Sequence, residues 1–196
     1  VLAIRYKSFS RAKLVVVISV IALIIIGGYA VTLIYSPALA HAFFSKSIVV
    51  DSLREPAADD NRLVIPKLGL NIIYDTGAVA RTTGAQWQYP DRGNPSDGGT
   101  MILAASRLSL QSTPTQTIIH SPFYMLDSLA KGDKLVVDYA GVRYGYEVTG
   151  MKSGAVSEVT LPTDDDESRL ILYTYGSDSD TSRTVVSAKP LGKVAL

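Results

Sequence analysis

The sequence predicts a mostly β domain, a barrel or a sandwich, held outside the cell by one N-terminal transmembrane helix. Two contrasts in texture carry that prediction. Leu14–Tyr35 is a run of 22 residues without a charge, mostly Val, Ile and Leu. From Arg62 onward the chain changes to short apolar runs broken by Gly, Pro, Asn and Asp, with a single helical pattern among them.

At about 1.5 Å per residue the uncharged run reaches roughly 33 Å as a helix, enough for a bilayer core of roughly 30 Å. Gly27 and Gly28 would weaken a soluble helix but are tolerated in a membrane, and Tyr29 and Tyr35 suit its outer interface. Pro37 is expected to end the helix. Residues 1–13 hold Arg5, Lys7, Arg11 and Lys13 and no acid, whereas the 15 residues after Tyr35 hold only Lys46. That asymmetry makes 1–13 a cytoplasmic basic tip, sends 14–35 across the cell membrane, and leaves everything from Ser36 outside. A cleaved signal peptide is the competing reading, because Ala38-Leu39-Ala40 has the small-x-small pattern of a cleavage site. The apolar run exceeds the roughly 7–15 residues of a signal h-region, which favours the uncleaved anchor.

Residues 36–61 carry Pro37, Pro56, small residues and the acidic pair Asp59-Asp60, and read as a stalk with a short helix within Ala38–Ser52, partly folded back on the body. The body, 62–196, offers seven candidate strands: Leu63–Ile65, Asn71–Tyr74, Thr100–Ala104, Lys134–Tyr139, Val142–Thr149, Leu170–Tyr173 and Thr184–Ala188. Ala140-Gly141 between two of them predicts a hairpin. The helical stretch is Pro122–Ala130, where Phe123, Leu126 and Leu129 recur at spacing three before a Gly132-Asp133 stop. Tyrosines at 89, 124, 139, 144, 146, 173 and 175, with Trp87, are read mainly as strand packing.

Composition excludes several chemistries. The chain has 196 residues, a net charge of +1 and no cysteine. Thiol nucleophiles, disulfides, thiolate zinc and iron–sulfur clusters are therefore ruled out. Two histidines, His41 and His120, leave little for a multi-histidine metal centre. Beyond residue 13 there are 15 bases against 18 acids, a net −3, so bulk charge predicts no nucleic-acid partner. Asp164-Asp165-Asp166-Glu167 lacks a glycine-turned loop of spaced calcium ligands and reads as a solvated loop; Asp178-Ser179-Asp180-Thr181 reads as a polar turn. No metal and no cofactor is expected.

Several blocks carry a family resemblance. Arg62-Leu-Val-Ile-Pro-Lys-Leu-Gly, Asn94-Pro-Ser-Asp-Gly-Gly-Thr-Met-Ile-Leu-Ala, Phe123-x-x-Leu-x-x-Leu-x-x-Gly-Asp, Tyr144-x-Tyr-x-Val, Leu172-Tyr-Thr-Tyr and Arg183-Thr-Val-Val resemble the sortases in order and spacing, over Arg62 to Leu191. The resemblance implies a closed β-barrel of about eight strands with one or two short helices. It also implies a surface transpeptidase site in which a cysteine attacks the backbone of a sorting signal, a histidine moves protons and an arginine stabilises the oxyanion. Position by position, Ser106 of Ala104-Ala105-Ser106-Arg107 stands where the histidine belongs, and Tyr175 of Leu172-Tyr173-Thr174-Tyr175 where the cysteine belongs. Arg183 stands in the arginine position.

The substitutions change what the site can do. A phenol with a pKa near 10 is almost entirely protonated at neutral pH, and its esters are poorly suited to passing an acyl group to an amine. A serine hydroxyl cannot hold a proton with a pKa near 7. Transpeptidation is therefore expected to be absent, leaving a groove bounded by Ser106, Arg107, Thr174, Tyr175 and Arg183 that binds or scaffolds. Its expected partners are a surface polypeptide, a pilin-like subunit or an active sortase, besides membrane lipid along 14–35. Two alternatives stay open. One is an active enzyme, either a sortase-type transpeptidase or a hydrolase using Ser106 or Thr174 with His120 as base. The other is a structural subunit of a membrane complex.

Overall fold

The computed structural model describes residues 10–44, 46–161, 167–175 and 181–194. Helix α1 runs Arg11–Phe44 and is long and apolar enough to cross a membrane, the property of an anchor or of a signal sequence. It does not stop at Pro37. A proline ring removes the N–H that would bond the carbonyl four residues back, here that of Leu33. The Ser36 hydroxyl donates to Leu33 O at 2.9 Å instead, so the orphaned acceptor is satisfied and the helix continues.

The body is a mixed barrel. Strands are β1 (Arg62–Ile65), β2 (Leu70–Asp75), β3 (Ala85–Gln88), β4 (Gly93–Asn94), β5 (Gly98–Ser106), β6 (Lys134–Tyr139), β7 (Val142–Ala155), β8 (Arg169–Tyr175) and β9 (Ser182–Lys193); short helices are α2 (Ala80–Thr83) and α3 (Pro114–Ile119). The sheet order is β3-β2-β1-β6-β7-β9-β8-β5-β4, and β3 also pairs with β5. Eight strands thus close into a ring, leaving the two-residue β4 as an annex on β5. Closure removes sheet edges, which suits a domain of short strands. Among the described strand pairs, β2–β3 and β5–β8 run parallel and the others antiparallel. All seven strands expected from sequence are present; β3 and β4 were not anticipated, being too short for alternation to register.

The helical expectation at Pro122–Ala130 is corrected. Residues 122–125 form turns and Leu126–Ser128 a single 3₁₀ turn, while the α-helix lies just upstream as α3. Phe123, Leu126 and Leu129 are buried as their spacing requires, and a strict spacing of three is the period of a 3₁₀ helix rather than an α-helix. Thr113 caps α3, its side chain accepting from Gln116 N, and Pro114 follows at the first turn.

One apolar cluster fills the barrel. Leu63 and Ile65 of β1, Met101, Leu103 and Ala105 of β5, Leu135 and Val137 of β6, Leu170 and Leu172 of β8, and Phe123 and Leu126 meet there. Trp87 packs edge-on against Tyr74 and Tyr139, with ring centroids 6.2 and 5.7 Å away. A second cluster lies on the outer face of β5, β8 and β9, where Ile102, Ala104, Ile171, Tyr173 and Val185 are covered by Val159 and Leu161 from the β7–β8 connection. Strands β5 and β8 are consequently buried on both faces, whereas β2 alternates with solvent.

The β6–β7 hairpin turns through Ala140 and Gly141 at φ 49° and 76°, the left-handed pair of a type I′ turn. The segment after α1 folds back on the barrel: Ile48 N donates to Pro66 O, Asn61 Oδ1 accepts from Ala140 N, and Arg54 O accepts from Arg143. Instead of the single short helix expected within Ala38–Ser52, α1 extends to Phe44 and a 3₁₀ turn occupies Val50–Ser52.

Candidate functional site

Strand order brings the three expected positions together. In the parallel β5–β8 ladder Ser106 is the register partner of Tyr175, at the last pair of both strands. On the other side of β8 the antiparallel register sets Tyr173 opposite Val185, and continuing it by one pair of steps sets Tyr175 opposite Arg183. Side chains alternate along strands, so Ser106, Tyr175 and Arg183 lie on the outer face shared by Ala104, Tyr173 and Val185. Neighbouring strands are about 4.8 Å apart, which spans the triplet across roughly 10 Å of sheet.

Each member has a distinct setting. Ser106 is buried, and its carbonyl accepts from Phe123 N at 3.0 Å, ending β5 where the chain turns away. Tyr175 is half-buried against the outer cluster. Arg183 lies with Cζ 5.4 Å from the centre of the Tyr173 ring, donates from Nη1 to Val159 O at 3.3 Å, and has a buried Nε without a hydrogen-bond partner. A guanidinium stacked on an aromatic face keeps its in-plane donors free for a planar acceptor. The Tyr173 hydroxyl donates to Gln88 Oε1 on β3, fixing the ring beneath the arginine.

Two expected groove residues are placed differently. Thr174 points inward, in the same alternation as Leu170 and Leu172, is 1% exposed, and its hydroxyl accepts from Thr184 N at 2.9 Å. The period-two geometry of a strand puts it on the opposite face from Ser106, which removes it as a groove nucleophile. His120 caps the C-terminus of α3, its backbone N–H directed at Gln116 O and Ile118 O, and no hydrogen bond joins it to Ser106 or Thr174 among the described residues. Arg107 borders the site: one Nη donates to Ser182 Oγ at 3.3 Å and the other lies 3.5 Å from Asp127, with both ends half-exposed.

Sequence reasoning missed Gln88, Val159 and Leu161. Gln88 ends a four-residue strand and Val159 lies in a connection, so neither carries a periodic or motif signal; only the fold brings them to Tyr173 and Arg183. The polar runs at Asp164–Asp166 and Asp178–Asp180 fall outside the described residues. Among the described residues no group of three or more histidines or carboxylates is arranged to hold a metal. Chemically the triplet is a neutral hydroxyl, a phenol and a guanidinium: a set that binds carbonyl or carboxylate oxygens and offers no thiolate.

Comparison with known proteins agrees with this architecture. A sortase-domain family profile matches residues 63–191. Sortase A of Listeria monocytogenes superposes with a TM-score of 0.53 at 20% identity, covering 70% of this chain and 92% of that one. A sortase from Actinomyces oris gives 0.51 at 20% identity, covering 76% and 89%, and sortase C1 of Streptococcus agalactiae gives 0.53 at 18%, covering 82% and 77%. No curated protein matches the chain. The identities to the solved structures are low enough that these likenesses speak for the fold alone. The profile match spans most of the body, and with the closed mixed barrel behind an apolar N-terminal helix it settles the family: the chain belongs to the sortases, and it is a sortase-family protein without a single cysteine.

Proposed function

We propose that this protein is a membrane-anchored, extracellular sortase-family member that does not perform transpeptidation and instead binds or scaffolds a surface polypeptide in the groove between Ser106, Tyr175 and Arg183. One observation carries the reading. The barrel, its doubly buried β5–β8 pair and the outer-face arginine persist, while the chain holds no thiol. The basic residues ahead of α1 favour a cytoplasmic N-terminus, which leaves the barrel outside. Partners that fit are an extended segment of a surface or pilin-like protein, recognised through backbone carbonyls, or an active sortase.

Binding without turnover is what the side chains support. The Arg183 fork offers donors to a peptide carbonyl, and Tyr175 and Ser106 offer hydroxyls on the same face. Incubating the full-length detergent-solubilised chain with sorting-signal peptides and an amine acceptor should give peptide binding with no cleavage or ligation. Turnover that disappears in Ser106→Ala or His120→Ala would overturn the reading. In the converse experiment, the Tyr175→Cys, Ser106→His double variant should gain measurable cleavage, because Arg183 and the barrel are already in place.

A further inference from the structure

Helix α3 and the loop before it lie against the apolar helix α1. The Tyr29 hydroxyl donates to Ser112 O, and Ser36 Oγ lies 3.4 Å from Pro114 O. Tyr29 belongs to the uncharged run and sits six residues before its end at Tyr35. Six residues of α-helix are about 9 Å. An element bonded to Tyr29 therefore reaches below the level at which the apolar run ends.

The composition of that element suits such a depth. From Leu108 to Leu126 there is no Asp, Glu, Lys or Arg, although 19% of the chain is charged. Leu110, Ile118 and Ile119 are 54%, 36% and 49% exposed. Several polar groups of the segment pair within it: Gln111 N donates to Thr117 Oγ1, Ser109 N to Ser121 Oγ, and Gln111 Nε2 to Ser109 Oγ, each at 3.0 Å. Internal pairing of polar groups is what a chain needs where water is scarce. Just beyond, a cleft of about 470 Å³ between α1 and the barrel has apolar walls and carries His41 and Lys46, a polarity suited to phosphate headgroups above acyl chains.

We propose that the 108–121 segment is a membrane-docking element: Leu110, Ile118 and Ile119 insert into the outer-leaflet interface beside α1, to the depth of about 5–10 Å typical of interfacial helices. The proposal rests on α1 being the membrane anchor. Docking there fixes the barrel's orientation, since Ser106 and Arg107 lead directly into the segment, and it sets the groove close to the lipid surface. Ligands attached to the same membrane are then favoured over ligands arriving from solution.

The cysteine-free chain permits a direct test on the full protein in lipid nanodiscs. Single variants Leu110→Cys, Thr115→Cys and Ile119→Cys, with Ile25→Cys in α1 and Ser96→Cys at the far end of β5, each carry one environment-sensitive fluorophore. The expected result is blue-shifted emission at 110 and 119, quenched severalfold more strongly by headgroup-level spin-labelled lipid than at 96, and quenching at 25 by deep-labelled lipid. If 25 is quenched while 110, 115 and 119 behave like 96, docking is overturned and the anchor stands. Blue-shifted emission at 110 and 119 that lipid spin labels do not quench means a protein covers the patch, and also overturns docking. Absence of quenching at 25 removes the anchor and this proposal with it.

Discussion

Two arginines on neighbouring strands, toward opposite ends of the β7–β9 ladder, have different partners. Arg143, on the β6–β7 hairpin, is 2% exposed and forked onto Asp138, with Nε to Oδ1 at 2.7 Å and Nη2 to Oδ2 at 2.8 Å, while Nη2 also bonds Arg54 O. Arg183, at the start of β9, has no ion pair to any described residue; it rests on Tyr173 and one carbonyl and leaves Nε unbonded. The first arginine is paired to a carboxylate and ties the segment before β1 to the hairpin through Arg54 O, although its buried Nη1, like the Arg183 Nε, has no hydrogen-bond partner. The second is held by an aromatic face and one carbonyl rather than by an acid, and the proposed binding role rests on that difference.

Breaking the first arrangement has the largest expected effect. Asp138→Ala leaves the Arg143 charge buried and uncompensated, and removing one partner of such a pair costs about 3–5 kcal/mol. Urea unfolding of the full-length protein in detergent checks it, and a loss under about 1 kcal/mol would show Arg143 to be solvated after all. Arg183→Met sharpens the contrast. Its single bond to Val159 predicts a stability loss of under about 1 kcal/mol, yet groove peptide binding should fall at least about tenfold, the value of one charge-assisted hydrogen bond. Unchanged binding would take Arg183 out of the groove.

A smaller effect belongs to the hairpin that carries Arg143. Ala140 adopts φ 49°, a left-handed conformation disfavoured for residues with an ordinary Cβ. Ala140→Asn should raise stability by about 0.5–1 kcal/mol, since Asn-Gly is the preferred type I′ pair; no gain in urea midpoint would mean the turn is already relaxed. The smallest effect is the pH response of carboxylates outside both arginine sites. Burial opposes ionisation of Asp133, but hydrogen bonds from Lys67 Nζ and Ala130 N, with the Lys67 charge, hold it below its ordinary value of 3.8. Hydrogen bonds from Lys134 and Lys189 hold Glu147 below 4.5. Both folded values are depressed, so their contribution is full above the unfolded values and is lost as pH falls through the folded ones. Unfolding midpoints should drop modestly below about pH 4, and Lys67→Met should reduce that drop.

The tyrosines divide in the same way. Burial, reinforced by neighbouring tyrosines, pushes the Tyr74 phenol far above its usual range; its hydroxyl donates to Asp138 O at 3.0 Å, next to the Arg143 fork. Burial pushes Tyr146 up to about 12. Both serve the barrel interior, whereas Tyr173 and Tyr175 lie on the outer face with Ala104 and Val185. Composition alone cannot separate the two sets, because alternation along β2, β7 and β8 decides which face each ring takes.

Much of the fold was legible because its signals are local. Seven strands announced themselves by apolar runs between turn residues, the hairpin by Ala140-Gly141, and the apolar helix by an uncharged run. Pro37 misled because its consequence depends on whether a neighbour replaces the lost hydrogen bond, and Ser36 does. Phe123, Leu126 and Leu129 were assigned to the wrong helix type, since spacing three fits a 3₁₀ turn. Motif order pointed to Ser106, Tyr175 and Arg183, which the strand register brings together on one face, while Thr174 was included only because sequence adjacency says nothing about which face a side chain takes.

The sequence by itself determined the membrane-length helix, the β-rich body, the family blocks and the absence of thiol chemistry, because each depends on residue type and short-range spacing. Only the tertiary structure decided which arginine is paired to a carboxylate, which threonine is turned inward, that Gln88 and Val159 bond Tyr173 and Arg183, and that an uncharged surface segment lies alongside the apolar helix at Tyr29. Those properties depend on contacts between residues far apart in the chain, and such contacts exist only once the barrel has closed.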